Sequence, residues 1–170
     1  MQSRKKQGKI IFLNFLIFFT AILLYGSVNI DLSIKNAYPF VLLSVLTAFC
    51  VFSKISYAAA VGFVSGIFID SISSKSYCFN TIALMLLGVA VCLLANNIFN
   101  KNFKAVLVLC FLTALLYFFL YWLVFIAFSL KGTSNITYLL NYVLPSSFYT
   151  AVFVIPFYFL YRYWNKLLNE

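Results

Sequence analysis

The chain has 170 residues, of which 65% are hydrophobic and only 9% charged. A soluble domain averages about 45–50% apolar and about 25% charged, so this chain cannot cover its surface with polar groups and its solvent is lipid. The net charge of +9 fits the Lys and Arg that flank membrane helices on the cytoplasmic side, which leaves nucleic acid out as a partner.

The N-terminus, Met1 to Lys9, is polar and basic, like the leading region of a signal peptide. The apolar run after it, about 10–30, is longer than the 7–15 residues of a signal core and lacks a small-residue cleavage site. It reads as a retained first span. A second span covers about 38–52 and is short, so it tilts little or enters only part-way. A third runs over about 55–72, a fourth over about 80–99, a fifth over about 103–130 and a sixth over about 142–164. The fifth exceeds one bilayer crossing and should tilt or project. These are helices, because hydrocarbon offers no partner for backbone N–H and C=O groups and the runs do not alternate as barrel strands do. Residues 1–170 thus form a single polytopic membrane domain, all-α with six transmembrane helices.

Charge sets the expected orientation. With six spans, Arg4, Lys5, Lys6, Lys9, Lys54, Lys101, Lys104, Arg162 and Lys166 share the side of both termini, and Lys35, Lys75 and Lys131 lie on the other. The positive-inside rule then makes both termini cytoplasmic. The external loops, about 31–37, 70–79 and 131–141, are too small to form a receptor domain.

Chemistry-bearing groups are sparse. Histidine is absent, and Cys50, Cys78, Cys92 and Cys110 form no Cys-x-x-Cys pair, so no metal site is expected. No phosphate loop, nucleophile elbow or paired carboxylates are present, so neither enzymatic activity nor a cofactor is expected. Tyr117, Phe118, Phe119, Tyr121 and Trp122 read as core and lipid-facing filler or as a stacking platform for a ligand. Tyr158, Tyr161, Tyr163 and Trp164, beside Arg162 and Lys166, sit where an interfacial aromatic belt belongs. Pro145 suits a helix start, and Pro156 should kink the sixth span.

The stretch Gly62-Phe-Val-Ser-Gly-Ile-Phe-Ile-Asp70 stands out. Gly62, Gly66 and Asp70 are four apart and share one face of a helix. A Gly-x-x-x-Gly pair lets another helix backbone approach closely, either inside this protein or at an interface with a partner. Asp70, one of three acidic residues in the chain, is either a solvated helix end beside Lys75 or a buried anchor bonded to the following loop or to a partner. A proton relay is disfavoured, because no second intramembrane acid or histidine is at hand.

This run, the polar loop after it, and Asn80-Thr-Ile-Ala-Leu-Met-Leu-Leu-Gly88 resemble the rod shape-determining protein MreD family. Chain length, basic N-terminus and span count agree, and the motif-level likeness covers about residues 58–95. The family's loop usually carries a glycine before the next span, in a Leu-Gly-x-Asn-like context. Here that place reads Ser76-Tyr77-Cys78-Phe79-Asn80, with Asn80 kept and no glycine. The resemblance implies a fold similar to the substrate-binding component of energy-coupling factor transporters. It implies a non-enzymatic scaffold of cell-wall elongation in the bacterial inner membrane. Its partner would be the single-span MreC and, indirectly, MreB, RodA and a class B penicillin-binding protein. Gly62, Gly66, Asp70, Asn80 and Gly88 would form the partner or helix-packing interface, and Gly66→Leu would weaken association with MreC more than folding. The alternative is a vitamin-transporter component that holds its ligand in an external pocket; the first span lacks the Ala-x-x-x-Ala pattern of such components.

Overall fold

A computed structural model describes residues 38–73, 78–97, 102–127 and 138–169. The expected first span, about 10–30, lies outside the described residues, as do Lys35, Lys75, Lys101 and Lys131. Among the described residues every regular element is helical. They are α1 (Val41–Phe52), α2 (Ile55–Ile72), α3 (Phe79–Asn97), α4 (Phe103–Tyr121) and α5 (Leu144–Asn169). A π-helical turn, Trp122–Ala127, extends α4, and another, Leu139–Val143, leads into α5. Four stretches are long and apolar enough to cross a membrane: Ile55–Ile72, Phe79–Asn97, Phe103–Phe125 and Leu139–Trp164. The apolar runs at about 55–72, 80–99, 103–130 and 142–164 contain most of these four stretches. α5 runs on through Pro156 without ending there.

Contacts fix the directions. Asp70 meets the start of α3 while Ser53, just before α2, meets Cys92 near its end, so α2 and α3 are antiparallel. Phe40 bonds Thr150 and Phe52 packs on Tyr158, so α1 and α5 are parallel. Phe40 also packs on Tyr117 of α4, and Phe103, at the start of α4, packs on Tyr158. α1, α3 and α5 therefore run one way, and α2 and α4 the other. Lys54, Lys104, Arg162 and Lys166 gather at one end of the bundle. Asp70, the sole acidic residue among the described ones, is at the other.

α1 is the centre. Its sequence, Val-Leu-Leu-Ser-Val-Leu-Thr-Ala-Phe-Cys-Val-Phe, has no polar face, and such a helix is stable only when surrounded. Eleven of its 12 residues are buried, and it touches all four other helices. At about 1.5 Å per residue it spans only about 18 Å, well under a hydrocarbon core of about 30 Å. It is a buried core helix more than a lipid-facing span. Its hydroxyls are satisfied from within: Ser44 Oγ donates to the Thr150 carbonyl at 2.7 Å and Thr47 Oγ1 to the Ser44 carbonyl at 2.9 Å. The entry to α1 is held by α5, where Thr150 Oγ1 accepts from the Phe40 N–H at 3.0 Å and Ser146 Oγ from the Tyr38 N–H at 3.2 Å. The four longer helices surround this rod and turn Phe63, Val64, Ile82, Leu86, Leu112 and Val152 outward, as lipid-facing side chains do.

Candidate functional site

The five residues singled out in the sequence, Gly62, Gly66, Asp70, Asn80 and Gly88, lie along a single seam between α2 and α3. Both glycines of α2 face backbone of α3. A Cβ placed on Gly62 would stand 2.6 Å from the Leu84 carbonyl oxygen and 2.9 Å from Met85 Cα. One placed on Gly66 would run into Thr81 Cα and stand 2.7 Å from the Asn80 carbonyl oxygen. Gly88 answers from the other helix, 3.0 Å from the Ala58 carbonyl oxygen by the same construction. Two backbones this close gain dispersion and Cα–H···O contacts that bulkier residues forbid. Between the glycines, buried Ser65 returns its hydroxyl to the Val61 and Gly62 carbonyls of its own helix, each at 2.8 Å, so it adds no unpaired polar group to the seam. The glycine stripe is thus occupied by the chain's own helix. Gly66→Leu consequently strikes the fold first, which corrects the expectation that it would weaken partner association more than folding.

The seam ends in a polar knot. α3 begins at Phe79, and the Ile82 N–H donates to the Cys78 carbonyl at 3.3 Å, so Cys78 occupies the N-cap position. The cap side chain ordinarily takes the N–H groups two and three residues on, which a thiol does poorly. Asp70 takes them instead, from the end of α2. Its Oδ2 accepts from the Thr81 N–H at 2.8 Å and the Thr81 hydroxyl at 2.6 Å. Its Oδ1 accepts from the Asn80 side-chain amide at 2.9 Å and, more weakly, the Asn80 N–H at 3.3 Å. A carboxylate at a helix N-terminus also meets the positive end of the helix dipole. Asp70 is therefore a cap supplied by a neighbouring helix, half-buried and bonded to four donors.

Asn80 carries the knot to a third helix. With its amide nitrogen committed to Asp70, its Oδ1 accepts the Tyr117 hydroxyl of α4 at 2.7 Å. Asn80 and Tyr117 are 2% and 6% exposed, a setting in which a lost partner is expensive. Around them Tyr117 packs on Phe40, Phe79 and Phe118, with ring centroids 4.8, 6.4 and 5.5 Å apart. The sequence expectations do not mark Thr81, and they mark Tyr117 only as filler or as part of a stacking platform, not as the partner of Asn80. Thr81 follows Asn80 in a first helical turn, a local signal that was available. Tyr117 lies 37 residues from Asn80, and nothing in the sequence joins them.

Cys78 has φ of 61°, in the left-handed region where a side chain other than glycine is costly. It is exposed, whereas Cys50, Cys92 and Cys110 are buried, and none of the four forms a disulfide. Among the described residues no three His, Cys, Asp or Glu side chains come together to hold a metal ion. The expected aromatic belt divides: Tyr163 is exposed, but Tyr158 and Tyr161 turn into the core. No family model matches the chain, and searches of curated proteins and of solved structures returned no match.

Proposed function

We propose that this chain is a non-enzymatic scaffold of the bacterial cell-wall elongation complex, of the MreD kind, which holds MreC within the inner membrane and through it serves MreB, RodA and a class B penicillin-binding protein. One observation carries the reading. Aligned on Asn80, the glycine of the Leu-Gly-x-Asn-like pattern falls on Cys78, and Cys78 has a left-handed backbone. The turn that a glycine would make is present although the glycine is not. The other residues of the resemblance are the ones that build the α2–α3 seam and its polar knot.

On this reading the membrane domain has six spans, with the apolar run at about 10–30 as the first. The end bearing Lys54, Lys104, Arg162 and Lys166 faces the cytoplasm under the positive-inside rule, and the Asp70 knot faces outward. The knot's role is to lock the outer ends of three helices in one geometry, so that the faces they turn outward keep a fixed shape for a partner helix.

The test is depletion of the chain in its host combined with affinity purification from native membranes. The reading expects rod-shaped cells to round up and an MreC-like single-span protein to co-purify. Normal cell shape on depletion, with a vitamin found by mass spectrometry in the purified protein in place of MreC, would overturn it in favour of the transporter component.

A further inference from the structure

The end of the bundle opposite Asp70 is cationic, and one of its charges, Arg162, lies over a buried aromatic ring. Tyr158 of α5 is fully buried. Phe52, at the end of α1, and Phe103, at the start of α4, pack on its ring with centroids 5.8 and 5.4 Å away. The Arg162 guanidinium carbon sits 6.0 Å from the same ring centroid. Lys54 and Lys104 lie two and one residues along the chain from Phe52 and Phe103, and Lys166 follows Arg162 one turn further along α5. All four cations are exposed. Among the described residues no carboxylate lies at this end.

A second, independent observation points to a ligand. One residue before Arg162, Tyr161 is 5% exposed and its buried hydroxyl has no hydrogen-bond partner. One turn on, at i+3, the buried indole N–H of Trp164 also lacks an acceptor. Buried tyrosine and tryptophan donors normally find one, and leaving each unmade is costly. A third orphan, the Trp122 indole N–H, lies at the Asp70 end, but only Tyr161 and Trp164 stand beside exposed cations, and that combination suits an anion rich in acceptor oxygens arriving from the membrane interface.

We propose that this end binds the phosphate headgroup of an anionic phospholipid, with Lys54, Lys104 and Arg162 around the phosphate and the Tyr161 hydroxyl and Trp164 indole N–H donating to headgroup or ester oxygens. The site is separate from the Asp70 knot and does not depend on the scaffold reading.

Native mass spectrometry of the full chain, released from nanodiscs of phosphatidylcholine and phosphatidylglycerol, tests it. The wild type should retain phosphatidylglycerol in preference to phosphatidylcholine. Tyr161→Phe keeps the charge and the ring and should lower that retention about fivefold, the worth of one neutral hydrogen bond. Neutralising Lys54, Lys104 and Arg162 together, as K54Q/K104Q/R162Q, should lower it by about a hundredfold, at roughly fivefold per cation. Thermal melting of each variant in detergent separates loss of lipid from loss of fold, and Tyr161→Phe should melt no lower than the wild type. Unchanged retention in a folded Tyr161→Phe protein would overturn the proposal, because attraction to charge alone would then suffice. So would displacement of the lipid by millimolar inorganic phosphate, which would mark a site for the free anion.

Discussion

At the scale of single residues, the knot rests on one carboxylate doing the work of a missing cap. Asp70 supplies to α3 the acceptor that Cys78 cannot. Asp70→Asn keeps the shape but turns an acceptor oxygen into an N–H₂ that faces donors, so it should destabilise the protein by about 1–3 kcal/mol. A melting curve in detergent checks this, and an unchanged midpoint would show that Asp70 is dispensable as a cap. Cys78 points the other way. With φ of 61°, its replacement by glycine relieves a left-handed side chain that costs about 1–2 kcal/mol, less the entropy glycine adds to the unfolded chain. Cys78→Gly should therefore stabilise by about 0.5–1 kcal/mol, one of few substitutions here expected to raise the melting midpoint. Asp70 and Asn80 were legible in the sequence because an acid and an amide are conspicuous in so apolar a chain. The strain at Cys78 was not, because φ at one turn depends on where both flanking helices are held.

At the scale of elements, α2 and α3 form one unit joined at backbone distance. Gly62 and Gly66 lie under Leu84, Met85 and Thr81 with no room for a methyl group. Gly66→Leu should force the two helices apart, open the Asp70 bonds to Asn80 and Thr81 as well, and leave little folded protein in size-exclusion chromatography. Gly88→Ala meets only the Ala58 carbonyl oxygen, at 3.0 Å, and should be milder. A monodisperse, heat-stable Gly66→Leu protein would refute this packing. The spacing of four announced a face shaped for another helix, but spacing cannot say which helix. The answer came from the short connection between α2 and α3, which returns the chain antiparallel so that Gly62, Gly66 and Asp70 meet α3 in order. A wholly apolar α1 was likewise readable as a membrane segment. Its central position was not, because a helix uniform around its circumference carries no mark of which side is inward.

At the scale of the molecule, alternating helix directions put the polar knot at one end and the exposed cations at the other. If the cationic end is cytoplasmic, Cys78 is the one exposed thiol and lies outside, while Cys50, Cys92 and Cys110 are sealed in the bundle. A membrane-impermeant maleimide added to intact spheroplasts should modify a single cysteine, and Cys78→Ser should abolish the labelling. Modification that requires prior permeabilisation would invert the orientation.

By itself the amino-acid sequence determined the apolar character, the helical class and the presence of long apolar helices suited to a membrane. These follow from composition and from runs of apolar residues, which act locally and survive any arrangement of the helices. Only the tertiary structure decided that the glycine stripe meets the chain's own next helix, that Asp70 caps that helix, that Asn80 and Tyr117 extend the cap to a third helix, and that Tyr161 and Trp164 are left as donors without acceptors. The contacts among these depend on which faces are brought together across 10 to 37 residues of chain, and in lipid, where every exposed face is equally apolar, no hydrophobic gradient in the sequence records that choice.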